Sequence, residues 1–247
     1  MRIAYLVILA ILASGPGGTP AAAQNSSGAA LHHALKSQAT VYLSPDSTKP
    51  YLRLGFHEPV YRLERDGSWC RIRTSDGARG YVKCSAISNV WIRVSKRDRA
   101  VHLYRGAELV KTIKADFGYN VFADKEQRGS LRERDHWRTP EGQFYVVNKN
   151  PRSKYYRALV LNYPTPEDAE RGLKNGLITR SQHRAIVRAA DRQQMPPMNT
   201  NLGGWIEIHG DGTGRSTNWT QGCVAVRNDA MDTLWRWVPV GTPVLIE

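Results

Sequence analysis

Two Asp-Gly pairs, Asp66-Gly67 and Asp76-Gly77, each set between short runs of alternating apolar and polar residues, constrain the fold of this chain more than its composition does. A tight hairpin turn needs positive φ at its central residues, which Asp and Gly tolerate, so Asp-Gly between alternating runs predicts paired antiparallel strands. The runs include 40–43, 59–63, 69–73 and 80–82, with Pro45-Asp46-Ser47 as a further turn. Five short strands are expected within about fifty residues, enough for a small barrel over 36–90.

From 91 onward, strands alternate with longer excursions. Strands are expected at 92–94, 100–104, 143–147, 156–161, 205–208, 223–226 and 244–246. Helices enter only as inserts. Thr165-Pro166-Glu167-Asp168 supplies an N-cap, a proline at the first helical position and acids on the helix dipole. Ser181 reads as the cap of 182–190, and Asn228 as the cap of 229–237, whose Met231, Leu234 and Trp235 would face the sheet. The fold class is mainly β, with a helical insertion between two core strands.

The second part also carries the chemistry. Ile208-His209-Gly210 and Thr220-Gln221-Gly222-Cys223-Val224 put one histidine and one cysteine at the ends of two apolar runs. If the runs are neighbouring strands, the polar, glycine-rich excursion over 211–219 lets both side chains converge at one edge. A histidine that withdraws a thiol proton is the minimum apparatus for nucleophilic acyl transfer. The bland alternative is two core residues. Gly210 and Gly222 favour the site, because glycine lets backbone approach a substrate and turn N–H groups toward an oxyanion.

At the other end, Met1-Arg2, the eleven-residue apolar run 3–13 and Ala21-Ala22-Ala23 read as a cleaved secretory signal over 1–23, followed by a flexible leader over 24–35. The apolar run is shorter than the roughly 20 residues a membrane span needs. Export to the periplasm makes a Cys70–Cys84 disulfide the default, closing a loop worth roughly 3 kcal/mol, with two free buried thiols as the alternative. Cys223 is then the odd thiol. No CxxC or HxxxH spacing points to a metal, and no cofactor is implied. Losing Arg2 takes the net charge from +13 to +12. That favours an anionic wall polymer or membrane surface over nucleic acid, for which no recognition motif appears.

Taken together, Ile208-His209-Gly210, Gly222-Cys223-Val224, Arg138-Thr139-Pro140-Glu141-Gly142 and Val240-Gly241-Thr242-Pro243-Val244 resemble the L,D-transpeptidase (YkuD) catalytic domain over 91–247. Tyr155-Tyr156-Arg157 and Asn162-Tyr163-Pro164 are similar to its murein-transpeptidase branch typified by YafK. Residues 36–90 resemble a bacterial SH3-like module of exported wall proteins. The resemblance implies a β-sandwich-like catalytic domain acting on peptidoglycan stem peptides. It makes Cys223 the nucleophile and His209 its base. The Gly210 carbonyl would orient the imidazole, the N–H groups of Gly222 and Cys223 would donate to the oxyanion, and a Cys–His ion pair would hold a thiolate.

Two positions depart from the family pattern. Gln221 stands where many members have His, and Ala225 where many have Arg. Arg227 is the expected replacement clamp, because residues two apart in a strand share a face. Gln221, Trp219 and Tyr156 are further substrate-facing candidates. Ser216, Asn218, Asp116, Glu141 and Arg157 are weighed against turn and packing roles. A transpeptidase, a carboxypeptidase or amidase cleaving stem peptides or wall-linked protein, and an inactive wall-binding protein remain the readings to separate.

Overall fold

The computed structural model describes residues 29–247. The signal peptide expected over 1–23 lies outside them. The first sheet is built from β1 (Ala30–Ala34), β2 (Ala39–Tyr42), β3 (Pro50–Leu54), β4 (Pro59–Asp66), β5 (Trp69–Thr74), β6 (Arg79–Lys83) and β7 (Ile87–Ser88). Its order is β3-β2-β6-β5-β4-β1-β7, antiparallel throughout. Both Asp-Gly pairs turn hairpins, β4 to β5 and β5 to β6. Strand β5 alternates as its sequence does, with Cys70, Ile72 and Thr74 inward. Cys70 and Ile72 join Val41, Leu54, Val60, Val82 and Ile87 in one small core.

Two expectations change here. The order leaves β3 and β7 as edges, so no closed barrel forms among the described residues; closure requires the end strands to pair. The leader expected over 24–35 is strand from Ala30 onward, because β1 inserts between β4 and β7 and buries Ala34. Cys70 and Cys84 are joined by a disulfide with Cα atoms 5.0 Å apart.

The second sheet contains β8 (Val90–Ser95), β9 (Ala100–Arg105) and β10 (Glu108–Lys114), after which β11 (Phe117–Gly118) leaves it. It continues with β12 (Gly142–Ser153), β13 (Tyr156–Leu161), β14 (Glu207–His209), β16 (Val224–Ala225) and β17 (Pro243–Ile246), while β15 (Asn218–Thr220) pairs with β11. The order β10-β9-β8-β17-β12-β13-β14-β16 is mixed, since β8 with β17 and β14 with β16 run parallel. The largest apolar cluster of this unit runs from Val90 to Ile246, with smaller ones about Tyr145 and within the helical insertion. The described residues are thus mainly β with three α-helices.

The helical insertion lies between β13 and β14, as α1 (Pro166–Lys174) and α2 (Arg180–Asp191). A capping box of Thr165 with Asp168 starts α1 as expected. Helix α2 starts earlier than expected. Its cap is Thr179, with Gln182 closing the box, because a cap must precede its reciprocal partner by three residues. Helix α3 (Asn228–Trp237) also differs: Arg227 occupies the cap position, and the Asn228 amide is bonded to Asp211 instead. The two sheets meet where His57 Nε2–H donates to the Gly241 carbonyl at 2.7 Å and Phe56 lies edge-on to Tyr145.

Candidate active site

Parallel pairing of β14 with β16 sets Ile208 opposite Val224 and His209 opposite Ala225, so Cys223 immediately precedes the strand beside the one that carries the histidine. His209 is only 1% exposed. Its Nδ1–H donates to the Gly210 carbonyl at 2.7 Å, which fixes the tautomer and leaves Nε2 as the basic nitrogen. Gly210 is itself held by its N–H to the Arg157 carbonyl at 3.0 Å. A Cβ at 210 would lie 2.5 Å from Asn228 Oδ1 and 3.0 Å from the Tyr155 carbonyl, so only glycine fits. Tyr155 stacks on the imidazole at 4.4 Å. Burial pulls the His209 pKa below its ordinary 6.5, against opposition from the Gly210 carbonyl, Asp211 and Asp116.

The excursion over 211–219 is organised from one point. The buried Asp116 carboxylate accepts from Thr213 N–H, Thr213 Oγ1–H, Thr217 N–H and the Trp219 indole at 2.6–2.9 Å. Desolvation pushes its pKa up, but the Trp219 and Thr donors outweigh it and the net direction is down. Asp116 therefore satisfies a loop, and Trp219 is positioned by its N–H while its ring lines the cavity. Glu141 pairs with the buried Lys96 at 2.6 Å, away from the thiol. Asn218 and the Ser216 carbonyl both accept from Arg99, which places them in loop structure.

Cys223 differs from the expected ion pair. Its thiol donates from Sγ to the Trp205 carbonyl at 3.2 Å. Burial pushes the thiol up to about 12, and the Glu207 carboxyl adds to that; the Glu207 N–H and Lys125 oppose it. Burial thus disfavours both the thiolate and the imidazolium, which weighs against a standing ion pair. Trp205 adopts φ +54°, an unusual conformation for a bulky residue, next to the sulfur its carbonyl meets.

The oxyanion expectation changes as well. Gly222, at φ +126°, presses against the Arg138 carbonyl, where a Cβ would come within 2.5 Å. Its N–H donates to Thr220 Oγ1 at 3.2 Å, and that hydroxyl donates to the Cys223 carbonyl at 2.7 Å. Of the expected pair, the Cys223 N–H is the donor left without a side-chain acceptor.

A cavity of about 790 Å³ collects Cys223, His209, Gln221 and Trp219, together with Lys125, Arg128, Tyr155, Trp205 and Glu207. Two of the candidates expected to face substrate, Arg227 and Tyr156, lie outside it. Arg227 is exposed and pairs with Asp229 at 3.2 Å, because β16 ends at Ala225 and the two-residue strand rule no longer applies. Tyr156 turns toward α3 and bonds Asp232, as does Arg157; its φ of +72° breaks the strand pattern, and Tyr155 faces the histidine instead. Lys125, Glu207 and Tyr155 were not singled out by sequence. Burial raises Glu207 to about 7 and lowers Lys125 to about 8. Among the described residues no cluster of three metal-ligating side chains occurs, and no helix is long and apolar enough to cross a membrane.

No curated protein matches the sequence. Among solved structures, an L,D-transpeptidase from Xylanimonas cellulosilytica aligns at 18% identity and TM-score 0.40, covering 65% of this chain and 61% of that one. The Bdellovibrio bacteriovorus protein Bd1075 aligns at 22% identity and TM-score 0.40, covering 66% and 48%. An L,D-transpeptidase from Mycobacterium smegmatis aligns at 13% identity and TM-score 0.37, covering 88% and 82%. The chain thus spans less than two thirds of the first two structures. The sequence itself gives the assignment: residues 89–246, more than half of the chain, match the L,D-transpeptidase catalytic domain, and the chain belongs to the YkuD family.

Proposed function

We propose that this chain is an exported, periplasmic L,D-transpeptidase that acts on peptidoglycan stem peptides through a thioacyl intermediate on Cys223. One observation carries the reading. Cys223 and His209 share a cavity, and the Nδ1–H bond to Gly210 reserves Nε2 of the histidine for proton transfer. Because burial disfavours both charged forms, the thiol proton moves to Nε2 as sulfur attacks, and no standing thiolate is required. Sγ bonds to the carbonyl carbon preceding the terminal D-residue. The developing oxyanion is met by the Cys223 N–H. The C–N bond then breaks, and the D-alanine amine departs with the proton from His209. An acceptor amine attacks the thioester, its proton passes to Nε2, the C–S bond breaks, and Sγ takes that proton back from the imidazole to regenerate the thiol.

The YafK-like branch is the proposed placement within the family, on the Tyr155-Tyr156-Arg157 and Asn162-Tyr163-Pro164 motifs. The first sheet, hairpin-built over the residues that resemble the SH3-like module, is proposed to contact the wall. A hydrolytic reading has one observation in its favour. Ala225 is buried where many relatives have arginine, and Arg227 pairs with Asp229 outside the cavity, so neither of these two positions clamps a second stem. Water would then resolve the thioester, giving a carboxypeptidase or an amidase on wall-linked protein.

The test is purified protein, wild type and Cys223→Ala, with disaccharide-tetrapeptides and mass spectrometry. Cross-linked dimer lacking one D-alanine, abolished in Cys223→Ala with a loss of roughly 10³-fold or more, is the expected result. Tripeptide without dimer would establish hydrolysis. Unchanged tetrapeptide would remove the stem-peptide reading.

A further inference from the structure

Lys125 is the cavity residue that the acyl-transfer chemistry leaves without a role. It is 3% exposed, yet its ammonium makes one hydrogen bond, a 3.3 Å contact to the His136 carbonyl. No carboxylate lies within 4.0 Å of it among the described residues. The neighbouring Asp124 carboxylate is committed to Arg171 and to the backbone N–H groups of Lys125 and Glu141. A buried cation with two unused protons is costly unless an anion reaches it. Arg128, on the same cavity wall, gives one N–H to the Met198 carbonyl and also lacks a carboxylate partner. By contrast, Arg138 just outside is paired with both Glu126 and Asp135.

The position relative to the sulfur narrows the role. Lys125 and Cys223 line the same cavity, so the ammonium shares the space in front of the nucleophile, while burial disfavours the thiolate more than the ammonium favours it. Holding a thiolate is therefore not what the cation accomplishes. In a stem peptide attacked at the carbonyl before its last residue, the free carboxylate sits on the carbon bonded to the departing nitrogen, only three bonds from the scissile carbonyl. A cation beside the nucleophile is where that carboxylate arrives.

Resting on the acyl-transfer reading above, we propose that Lys125, assisted by Arg128, binds the free carboxylate of the residue that leaves when Cys223 is acylated, and thereby restricts the site to the penultimate carbonyl of a free C-terminus. Lys125 is in these terms a specificity-determining residue, separate from the Cys223–His209 pair.

The experiment measures calorimetric binding of a tetrapeptide stem, as free acid and as C-terminal carboxamide, to Cys223→Ala protein. The acid is expected to bind roughly 10- to 100-fold tighter than the amide, the range for a hydrogen bond to a charged group. Adding Lys125→Met should bring the acid down to the affinity of the amide and leave the amide within about twofold, while Lys125→Arg should retain part of the preference. Equal affinity of acid and amide in the Lys125-containing protein overturns the proposal without recourse to any lysine variant. Equal weakening of both ligands by Lys125→Met, in protein that keeps its unfolding transition, also overturns it. If the wild type discriminates acid from amide but releases no D-alanine, the acyl-transfer reading fails and the carboxylate site stands.

Discussion

In the first sheet every neighbour is antiparallel and half of the pairs are consecutive strands joined by a local turn, whereas in the second the pair that carries the chemistry, β14 with β16, is parallel and joined by the long excursion over 211–219. The two also differ in what they bury. A few aliphatic residues and a disulfide hold the first sheet together. The second has a far larger apolar cluster, and near its cavity it buries Asp116, Lys125, Glu207 and His209. Such groups cost stability unless paired, so a domain that keeps them needs the larger core. Local hairpins make a stable accessory unit; a cavity that brings distant polar groups together needs long-range pairing.

The largest separation of the two regions should come from the disulfide. Cys70→Ser with Cys84→Ser, or reduction, is expected to remove roughly 3 kcal/mol from the first sheet, more than a hundredfold in its folding equilibrium. Urea unfolding followed by the fluorescence of Trp69, with the other six tryptophans replaced, would report it. Acyl transfer at 25 °C should be unchanged. A parallel loss of activity would show that the second sheet depends on the first through His57 and Gly241.

Asp116→Asn tests the other side of the comparison. The carboxylate has four donors, and an amide must turn its own N–H₂ toward some of them. Trp219 and the loop should shift, and kcat should fall by roughly 10- to 100-fold, because small misplacements of a catalytic constellation are expensive. The first sheet should unfold as in wild type. An unaltered kcat would mean that the loop is positioned without its anchor.

How much of this was readable in the sequence follows the same division. Asp66-Gly67 and Asp76-Gly77 specified their hairpins because turn chemistry is local. His209, Gly210, Gly222 and Cys223 were legible because their motifs state a reaction. The errors sit where local rules were overridden. Thr179 and Gln182 spell a capping box as plainly as Thr165 and Asp168, so the start of α2 was legible but assigned to Ser181. The positive φ of Tyr156 exchanged its role with Tyr155, and the end of β16 at Ala225 released Arg227 from the strand face. Lys125 and Glu207 carried no motif; only the folded chain sets them beside the thiol.

The smallest expected effect concerns the seam between the sheets. His33 and His57 lie edge to face at 5.5 Å, and His33 Nε2 is buried without a partner. Burial, with the His57 and His32 charges, takes His33 down to about 3, and burial also lowers His57. Both folded values lie below the ordinary 6.5, so below that pH the unfolded chain binds more protons than the folded one. The stabilisation is full above about pH 6.5 and is lost as pH falls from there toward about 3. Thermal unfolding from pH 7 to pH 5 should show Tm falling by a few degrees, the scale of about 1 kcal/mol. His33→Phe, which keeps the edge-to-face contact and cannot titrate, should flatten that slope. A slope that survives His33→Phe unchanged would assign the pH sensitivity to the other histidines that burial lowers, His57 at the seam and His209 in the catalytic sheet, and His57→Phe would then separate the two.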